Sequence, residues 1–148
     1  MTRYLHRSCG GRIVARDNLH LTLVFLGAVR PEQIPSLKMI GAQQSGATFN
    51  LEFGVTGYWK HHRIVWAAPR MSQPLFDFVA ALQAALLGAG FSVDHRPHVP
   101  HVTLIRDAAK PIELPPLAFN WAIKDFVLVE SSSGTGKTEY CLLARWAH

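Results

Sequence analysis

The sequence repeats one short pattern, His-x-Thr-Leu, at two distant positions. The first copy occupies residues 20–23 and the second occupies residues 101–104. For a chain of this composition, two such matches arise by chance about once in a thousand sequences. The pair therefore indicates a functional element, whereas a single copy would carry little weight.

Two histidines that flank a phosphate can divide proton transfer between them. Either His20 or His101, when neutral, takes a proton from a nucleophile, and the other, when protonated, donates one to the leaving oxygen. Each such role contributes roughly 10²–10⁴ in rate, and imidazole changes charge near neutral pH. The hydroxyls of Thr22 and Thr103 can donate to the non-bridging phosphate oxygens. This chemistry requires neither a metal ion nor a cofactor.

Alternating side chains place both motifs on predicted strands. A strand over residues 18–26 would have one apolar face, formed by Leu19, Leu21, Leu23 and Phe25. A second strand is predicted over residues 101–106. Because the side-chain period of a strand is two, the His and Thr of each motif share a face. If the two strands are neighbours, both imidazoles and both hydroxyls converge on one site.

The elements around these motifs follow from apolar periodicity and turn residues. Helices are predicted from Pro31 to about Gln44, and from Ser72 to Gly88 or Gly90. Further strands are predicted over residues 49–55, 63–67, 117–130 and 138–146, with turns at residues 58–62 and 131–137. The last two strands form a hairpin. Residues 96–100 contain two prolines and are predicted to be irregular.

Length and composition limit the class of protein. The 148 residues predict one α+β domain over residues 1–148, with helices on the outer faces of mostly antiparallel sheet. Hydrophobic residues make up 49% and charged residues 17%, which excludes a disordered chain. The net charge of +5 favours an anionic partner. With two cysteines, no signal peptide and no membrane-length apolar run, a cytoplasmic location is expected.

The residues around both motifs resemble the 2H phosphoesterases, in particular the bacterial LigT-like branch of 2′-5′ RNA ligases and RNA 2′,3′-cyclic phosphodiesterases. The run DNLHLTLVFLG, residues 17–27, is similar to the first family motif, and RPHVPHVTL, residues 96–104, is similar to the second. The resemblance extends from about Gly11 to the C-terminus. It implies a two-lobed fold with pseudo-twofold symmetry and a central cleft.

The resemblance also implies an activity and residue roles. A hydrolase of this kind opens a terminal RNA 2′,3′-cyclic phosphate to a 2′-phosphate without metal or cofactor, and reverse joining to a 2′-5′ linkage is a second expected activity. By analogy, His20 protonates the departing 3′ oxygen and His101 activates water, although the sequence alone leaves that assignment open. Thr22 and Thr103 hold the phosphate. The expected partner is RNA with a cyclic phosphate end, such as a tRNA fragment.

Arg106 lies where the family often has a basic residue, and it could neutralise phosphate charge. Strict alternation places its side chain on the face opposite His101 and Thr103. Arg106 therefore needs a strand end or a β-bulge to reach the site.

The N-terminal region departs from the family pattern. Relatives usually have a further strand and helix before the segment that matches Gly11, whereas residues 1–10 show no strand followed by a helix. The expectation is an N-terminally short domain with an exposed edge, and hence either self-association into a homo-oligomer or low stability.

Other interpretations of the same residues stay open or are disfavoured. The alternative functions are a non-catalytic RNA-binding module and a phosphodiesterase of a small nucleotide, such as a 2′-5′ oligoadenylate. A zinc site at His95, His98 and His101 is disfavoured, because the intervening prolines break any helix and no further ligand completes a tetrahedral set. A phosphate-binding loop at residues 134–138 is disfavoured by the strand-like segment after it.

Some surface residues are weaker candidates for contacting RNA. His61 and His62 lie in a predicted exposed turn. The aromatic residues that could stack on a base are Tyr58, Trp59, Phe91 and Trp121. The arginines that could form a basic rim are Arg12, Arg16, Arg63, Arg70 and Arg96.

Overall fold

The computed structural model describes residues 2–44, 48–94, 96–134 and 137–147. Within these residues the chain forms three α-helices: α1 (Thr2–Cys9), α2 (Ile34–Gln43) and α3 (Gln73–Gly88). Short 3₁₀ turns occur at Arg16–Asn18 and, directly before α2, at Pro31–Gln33. The described helices are all too short or too polar to cross a membrane.

The described residues also form seven β-strands in two sheets. The strands are β1 (Arg12–Ile13), β2 (Phe49–Trp59), β3 (Ile64–Pro69), β4 (Val102–Arg106), β5 (Phe119–Ile123), β6 (Asp125–Gly134) and β7 (Lys137–Ala147). One sheet has the order β1-β4-β3-β2-β5, and the other pairs β6 with β7. The pairs β1–β4, β2–β3, β3–β4 and β6–β7 are antiparallel. The predicted α+β class with mostly antiparallel sheet is confirmed.

The chain divides into two compact units. The first contains residues 1–22, 51–71 and 99–121, and the second contains residues 23–50, 72–98 and 122–148. Both histidine motifs therefore begin in the first unit, together with β1, β3 and β4. The second unit contains α2, α3 and the β6–β7 hairpin.

The buried face of the first unit is formed by β3 and β4 and is covered in part by α1. Val65 and Ala67 of β3 lie on the same face as Ile105 and Val102, their partners on β4. Leu5 of α1 is fully buried. The thiol of Cys9, one turn later, donates to the Leu5 carbonyl. Burial raises the pKa of Cys9, which favours the neutral thiol that this bond uses.

Helices α2 and α3 form the core of the second unit. The buried residues of this cluster are Leu37, Ile40, Leu82, Leu86, Phe91 and Val93. Helix α3 ends as predicted at Gly88, and Gly90 adopts a left-handed φ of 82°. The amide of Gly90 donates to Leu87 and the amide of Phe91 donates to Leu86, which is the Schellman pattern. This ending brings Phe91 back onto Leu86 in the core.

The N-terminal segment contains a helix that the sequence did not predict, although no strand precedes it among the described residues. Residues 2–9 form α1, and the buried Leu5 and Cys9 lie four residues apart on one side of it. A helix of eight residues is marginally stable by itself, because the free energy needed to nucleate it exceeds what its few hydrogen bonds contribute. Packing against the rest of the first unit stabilises α1. Its only sequence indication is one pair of apolar residues four apart, which is weak evidence for a helix.

The strand predicted over residues 18–26 is also wrong in extent. Arg16–Asn18 is a 3₁₀ turn, and the segment makes a single bridge, between Leu21 and Val102. Leu23 and Val24 both pack against the helical cluster of the second unit, while Phe25 is 68% exposed. A strand sends consecutive side chains to opposite faces. Two adjacent residues that pack on one cluster therefore require a departure from strand geometry.

The C-terminal strands differ from prediction in their boundaries. The single strand expected over residues 117–130 is two strands, β5 and β6, which separate at Lys124 and join different sheets. The hairpin is confirmed, but β6 and β7 pair as far as Gly134 and Lys137, so the turn is shorter than residues 131–137. Thr135 and Gly136 lie outside the described residues.

The buried anchor of α1 gives a stability prediction. Leu5→Ala removes a fully buried side chain, so the free energy of unfolding should fall by about 2–5 kcal/mol. The matched control is Tyr4→Ala on the same helix, where the side chain is 55% exposed and a change of about 0.5 kcal/mol is expected. Urea denaturation of both variants measures the difference. Equal destabilisation by the two changes would contradict the packing of α1 on this unit.

Candidate active site

The two His-x-Thr motifs lie side by side in the first unit. Leu21 pairs with Val102 in an antiparallel bridge, and Val102 points into the buried face. Because neighbouring residues of an extended chain point to opposite faces, the other face carries the four motif side chains, His20, Thr22, His101 and Thr103. We call this surface the motif face.

The bridge gives the four side chains an approximate two-fold arrangement. Continued by one residue on either side, the register sets His20 opposite Thr103 and Thr22 opposite His101. The two histidines are then diagonal neighbours on adjacent segments, and the Cα atoms of such neighbours lie about 7–8 Å apart. A phosphate group can lie between two imidazoles at that spacing, with a threonine hydroxyl on either side.

Both histidines are oriented by the same kind of hydrogen bond. Nδ1 of His20 lies 2.7 Å from the carbonyl oxygen of Asn18, and Nδ1 of His101 lies 2.8 Å from that of Val99. Each acceptor is two residues before its histidine. Since a carbonyl oxygen only accepts, each Nδ1 carries a proton, and the neutral ring presents its lone pair on Nε2. Either ring can therefore accept a proton at Nε2 or, once protonated, donate one there.

A β-bulge sets the direction of Arg106. Trp66 of β3 pairs with Thr103, whereas the preceding residue, Val65, pairs with Ile105, so β4 has one extra residue at this point. Ile105 shares the buried face with Val65 and is fully buried. The next residue, the exposed Arg106, therefore lies on the motif face. This is the irregularity that Arg106 needed in order to approach the motifs.

Two tryptophans border the motif face beside His101. The ring of Trp59 lies 4.5 Å from that of His101, centroid to centroid, at an angle of 74°. Trp59 also packs at 5.4 Å against Trp66. A Cβ at Gly57 would overlap the Trp66 indole ring, so only glycine leaves room for this ring. Gly57 thus permits the aromatic packing next to His101.

Arg12 stands opposite Arg106 across β1 and β4. Its Nε and Nη2 atoms both lie 2.8 Å from one carboxylate oxygen of Asp107. Asp107 has a left-handed φ of 55°. The Nη2 of Arg63 donates to the Asp107 carbonyl at 3.0 Å, and the Arg63 carbonyl accepts from the Ala108 amide at 2.9 Å. These bonds fix the turn that presents Asp107 to Arg12.

Several weaker candidates have structural partners instead. The Tyr58 hydroxyl donates to the Ala108 carbonyl, and the Trp121 ring packs on Phe53. Phe91 is buried in the second unit. Strand β2 runs through Tyr58 and Trp59, so the predicted turn at residues 58–62 begins only at Lys60 and leaves both His61 and His62 exposed.

Some of the remaining candidate arginines and histidines have partners of their own. Arg70 forms an ion pair with Glu52, and Arg96 forms one with Asp94. Arg16 is exposed in the first 3₁₀ turn. The ring of His98 lies edge-on to Phe76, and His95 lies outside the described residues. In the described part of the chain, no group of three or more His, Cys, Asp or Glu side chains could hold a metal ion.

Sequence reasoning missed three features of this site. The backbone acceptors of the two histidines carry no side-chain signature, although their equal spacing repeats with the motif. Trp59 was a candidate only for base stacking, and the roles of Gly57 and Trp66 follow from a cross-strand pairing that the sequence does not reveal. The pairing of Arg12 with Asp107 joins residues that are distant in the chain.

Known proteins resemble this chain over most of its length. Residues 1–66 match the family model described as LigT like Phosphoesterase. The chain is 39% identical over 142 residues to the RNA 2′,3′-cyclic phosphodiesterase of Escherichia coli, covering 93% of this chain and 80% of the relative. The Thermus thermophilus protein of the same name is 29% identical over 153 residues, covering 93% and 76%.

A solved structure agrees as well. Escherichia coli LigT complexed with 3′-AMP superposes with a TM-score of 0.82 at 37% identity, covering 93% of this chain and 80% of that one. The fold, the paired motifs and the sequence identity over most of the chain therefore all indicate the same family. This chain belongs to the LigT-like phosphoesterase family.

Proposed function

We propose that this chain is an RNA 2′,3′-cyclic phosphodiesterase that opens a terminal cyclic phosphate to a 2′-phosphate. The observation that carries the proposal is the bridge between Leu21 and Val102, which brings two equally oriented imidazoles to one face. Relatives that bear this name, and a related structure complexed with 3′-AMP, support a nucleotide end as the substrate.

The reaction uses the Nε2 atoms of the two imidazoles, because each Nδ1 is bonded to a backbone carbonyl. Water attacks phosphorus in line with the P–O3′ bond. Nε2 of His101 takes a proton from the water as the new O–P bond forms, and protonated Nε2 of His20 gives a proton to O3′ as the P–O3′ bond breaks. The products are a 2′-phosphate and a 3′-hydroxyl. With a 5′-hydroxyl in place of water, the same steps produce a 2′-5′ linkage.

The remaining motif-face residues bind the phosphate. The hydroxyls of Thr22 and Thr103 lie on the same face as the imidazoles and donate to the two non-bridging oxygens. Arg106 neutralises part of the negative charge that develops during attack. A guanidinium also suits this role because it binds phosphate through two parallel donors.

Removing either imidazole should strongly reduce turnover while leaving the fold intact. His20→Ala and His101→Ala should each lower kcat by about 10²–10⁴, because each removes one proton transfer. The assay incubates an oligonucleotide 2′,3′-cyclic phosphate with each variant and identifies the product by phosphorus NMR. His61→Ala, an exposed histidine in a turn, is the control and should keep full activity.

The same assay separates the alternative functions. Binding of the oligonucleotide by the unaltered protein without turnover would establish a non-catalytic RNA-binding module. Turnover confined to small nucleotides, such as a 2′-5′ oligoadenylate, would establish the second alternative. Unchanged activity in both histidine variants would overturn the proposed mechanism.

Activity should be independent of divalent metal ions. The two imidazoles and the phosphate ligands supply proton transfer and charge stabilisation without a Lewis acid, so millimolar EDTA should leave kcat/KM unchanged. The check is an assay after dialysis against EDTA, followed by addition of Mg²⁺, Mn²⁺ or Zn²⁺. Activity that is lost in EDTA and restored by one of these ions would contradict this mechanism.

The aromatic packing beside His101 gives a more selective prediction. Gly57→Ala places a methyl group where the Trp66 ring lies, so the Trp66 and Trp59 rings must move. Since Trp59 contacts His101, we expect kcat to fall about tenfold, a cost of about 1.4 kcal/mol in the transition state. Gly88→Ala is the matched control, because a Cβ there meets no atom within 4 Å. If Gly57→Ala and Gly88→Ala are equally active, the packing of Trp66 has no effect on catalysis.

Self-association and the cytoplasmic location stay predictions from the sequence. A sheet edge left exposed would pair with a second copy or lower the stability, so we expect a dimer or larger species, or else a low melting temperature. Light scattering combined with thermal unfolding tests it. A monodisperse monomer of high thermal stability would contradict the prediction.

A further inference from the structure

We propose that Arg12 binds a second phosphate of the RNA, the one attached to the 5′ oxygen of the terminal nucleotide. This inference rests on the proposed function and deepens it, because it makes the preferred substrate an oligonucleotide rather than a mononucleotide. It also gives the RNA a direction on the motif face.

Two like charges face each other across β1 and β4. Arg12 and Arg106 are direct cross-strand partners in an antiparallel pair, and both are exposed. Partners in such a pair point to the same face, so Arg12 joins Arg106 on the motif face. Two like charges directly opposite one another destabilise a sheet. A phosphate bound at Arg12 offsets part of that repulsion while Arg106 faces the reacting phosphate, and RNA supplies one phosphate per nucleotide.

Asp107 holds the Arg12 side chain in place. It binds Nε and Nη2 of Arg12 through a single carboxylate oxygen, which fixes the direction of the guanidinium group. Asp107 carries one negative charge, so it can neutralise only one of the arginines around it. Arg63 also contacts this turn, through the Asp107 carbonyl. The cluster of Arg12, Arg63, Arg106 and Asp107 therefore keeps a net positive charge. Fixed, partly compensated guanidinium groups bind phosphate with little loss of side-chain entropy.

The position of Arg106 along β4 gives the RNA its direction. Arg106 is three residues beyond Thr103, roughly 10 Å at the rise of a β-strand. By the register of the bridge, His20 is the histidine at the Thr103 end, and His101 is farther from Arg106. The departing O3′ belongs to the ribose that carries the rest of the RNA, whereas the attacking water carries nothing. The RNA chain therefore leaves the site at the His20 end, toward Arg12, which agrees with His20 as the acid and His101 as the base.

The test compares two substrates that share the same reacting group. One is adenosine 2′,3′-cyclic phosphate, and the other is a dinucleotide that ends in the same cyclic adenosine and carries one internal phosphodiester. We expect Arg12→Gln to lower kcat/KM for the dinucleotide about tenfold, the value of one charge-assisted hydrogen bond, and to leave the mononucleotide unchanged. Asp107→Asn keeps a side-chain oxygen that can accept from Arg12 but removes the negative charge, so it should raise kcat/KM for the dinucleotide.

Salt dependence provides an independent readout. Neutralising one phosphate of a single strand contributes about −0.7 to the slope of log K against log salt concentration. For the unaltered protein, the slope for the dinucleotide should be more negative than the slope for the mononucleotide by about this amount. Arg12→Gln should remove the difference.

The chain offers a closely matched control in the first unit. Arg70 pairs with Glu52 at 2.9 Å, and its side chain is 65% exposed, against 60% for Arg12. Arg70→Gln should affect neither substrate selectively. A dinucleotide-specific loss at Arg70 rather than Arg12 would overturn the assignment.

The remaining outcomes separate this inference from the proposed function. If neither substrate is turned over by the unaltered protein, the proposed function fails. If both are turned over and Arg12→Gln affects them equally, Arg12 has a structural role and the second phosphate site is refuted. If the two substrates have the same kcat/KM in the unaltered protein, the preference for an oligonucleotide is refuted as well.

Discussion

The site depends on one antiparallel contact, between Leu21 and Val102. Neither residue takes part in the chemistry, yet this bridge decides which side chains meet. A register slip of one residue would send the histidine and threonine of one motif to the opposite face. Val102 is buried on the sheet, so its position is fixed by the core. The geometry of the candidate site is thereby tied to the stability of the first unit.

Backbone features near the bridge orient the side chains that the bridge brings together. Each imidazole is oriented by a backbone carbonyl two residues earlier, so a short local segment sets the tautomer. A bulge in β4 turns Arg106 toward the same face, and Gly57 makes room for the tryptophans beside His101. Each of these devices is a backbone feature, and the last two depend on pairing with a neighbouring strand.

Much of this could be predicted from the sequence, because the main signals are local. Strand alternation places His20 with Thr22 and His101 with Thr103, and glycine at the end of α3 gives its Schellman ending. The need for a bulge at Arg106 also follows from counting residues. The strand expected over residues 18–26 failed because propensity cannot show which neighbour a segment will have. There, packing of Leu23 and Val24 on a helical cluster overrides their alternation.

Other features depend on contacts between distant residues and have no local signal. Helix α1 is too short to be stable without the surface that Leu5 enters. The split of residues 117–130 into β5 and β6 reflects two different sheets, although the side chains show no clear break. The cross-strand partners of Thr103 and Arg106, which border the site, likewise emerge only from the register.

The two-fold relation between the motifs has a consequence for how such a site changes over time. A symmetric pair of acid–base groups has no preferred end, whereas a nucleic acid strand has polarity. Under the proposed function, orientation comes from residues that break the symmetry. Trp59 lies on one side and the arginines of β1 and β4 lie on the other. These bordering residues lie outside the repeated pattern. Under the proposed function, substrate choice can therefore change by substitution of the bordering residues while the four motif-face residues stay constant.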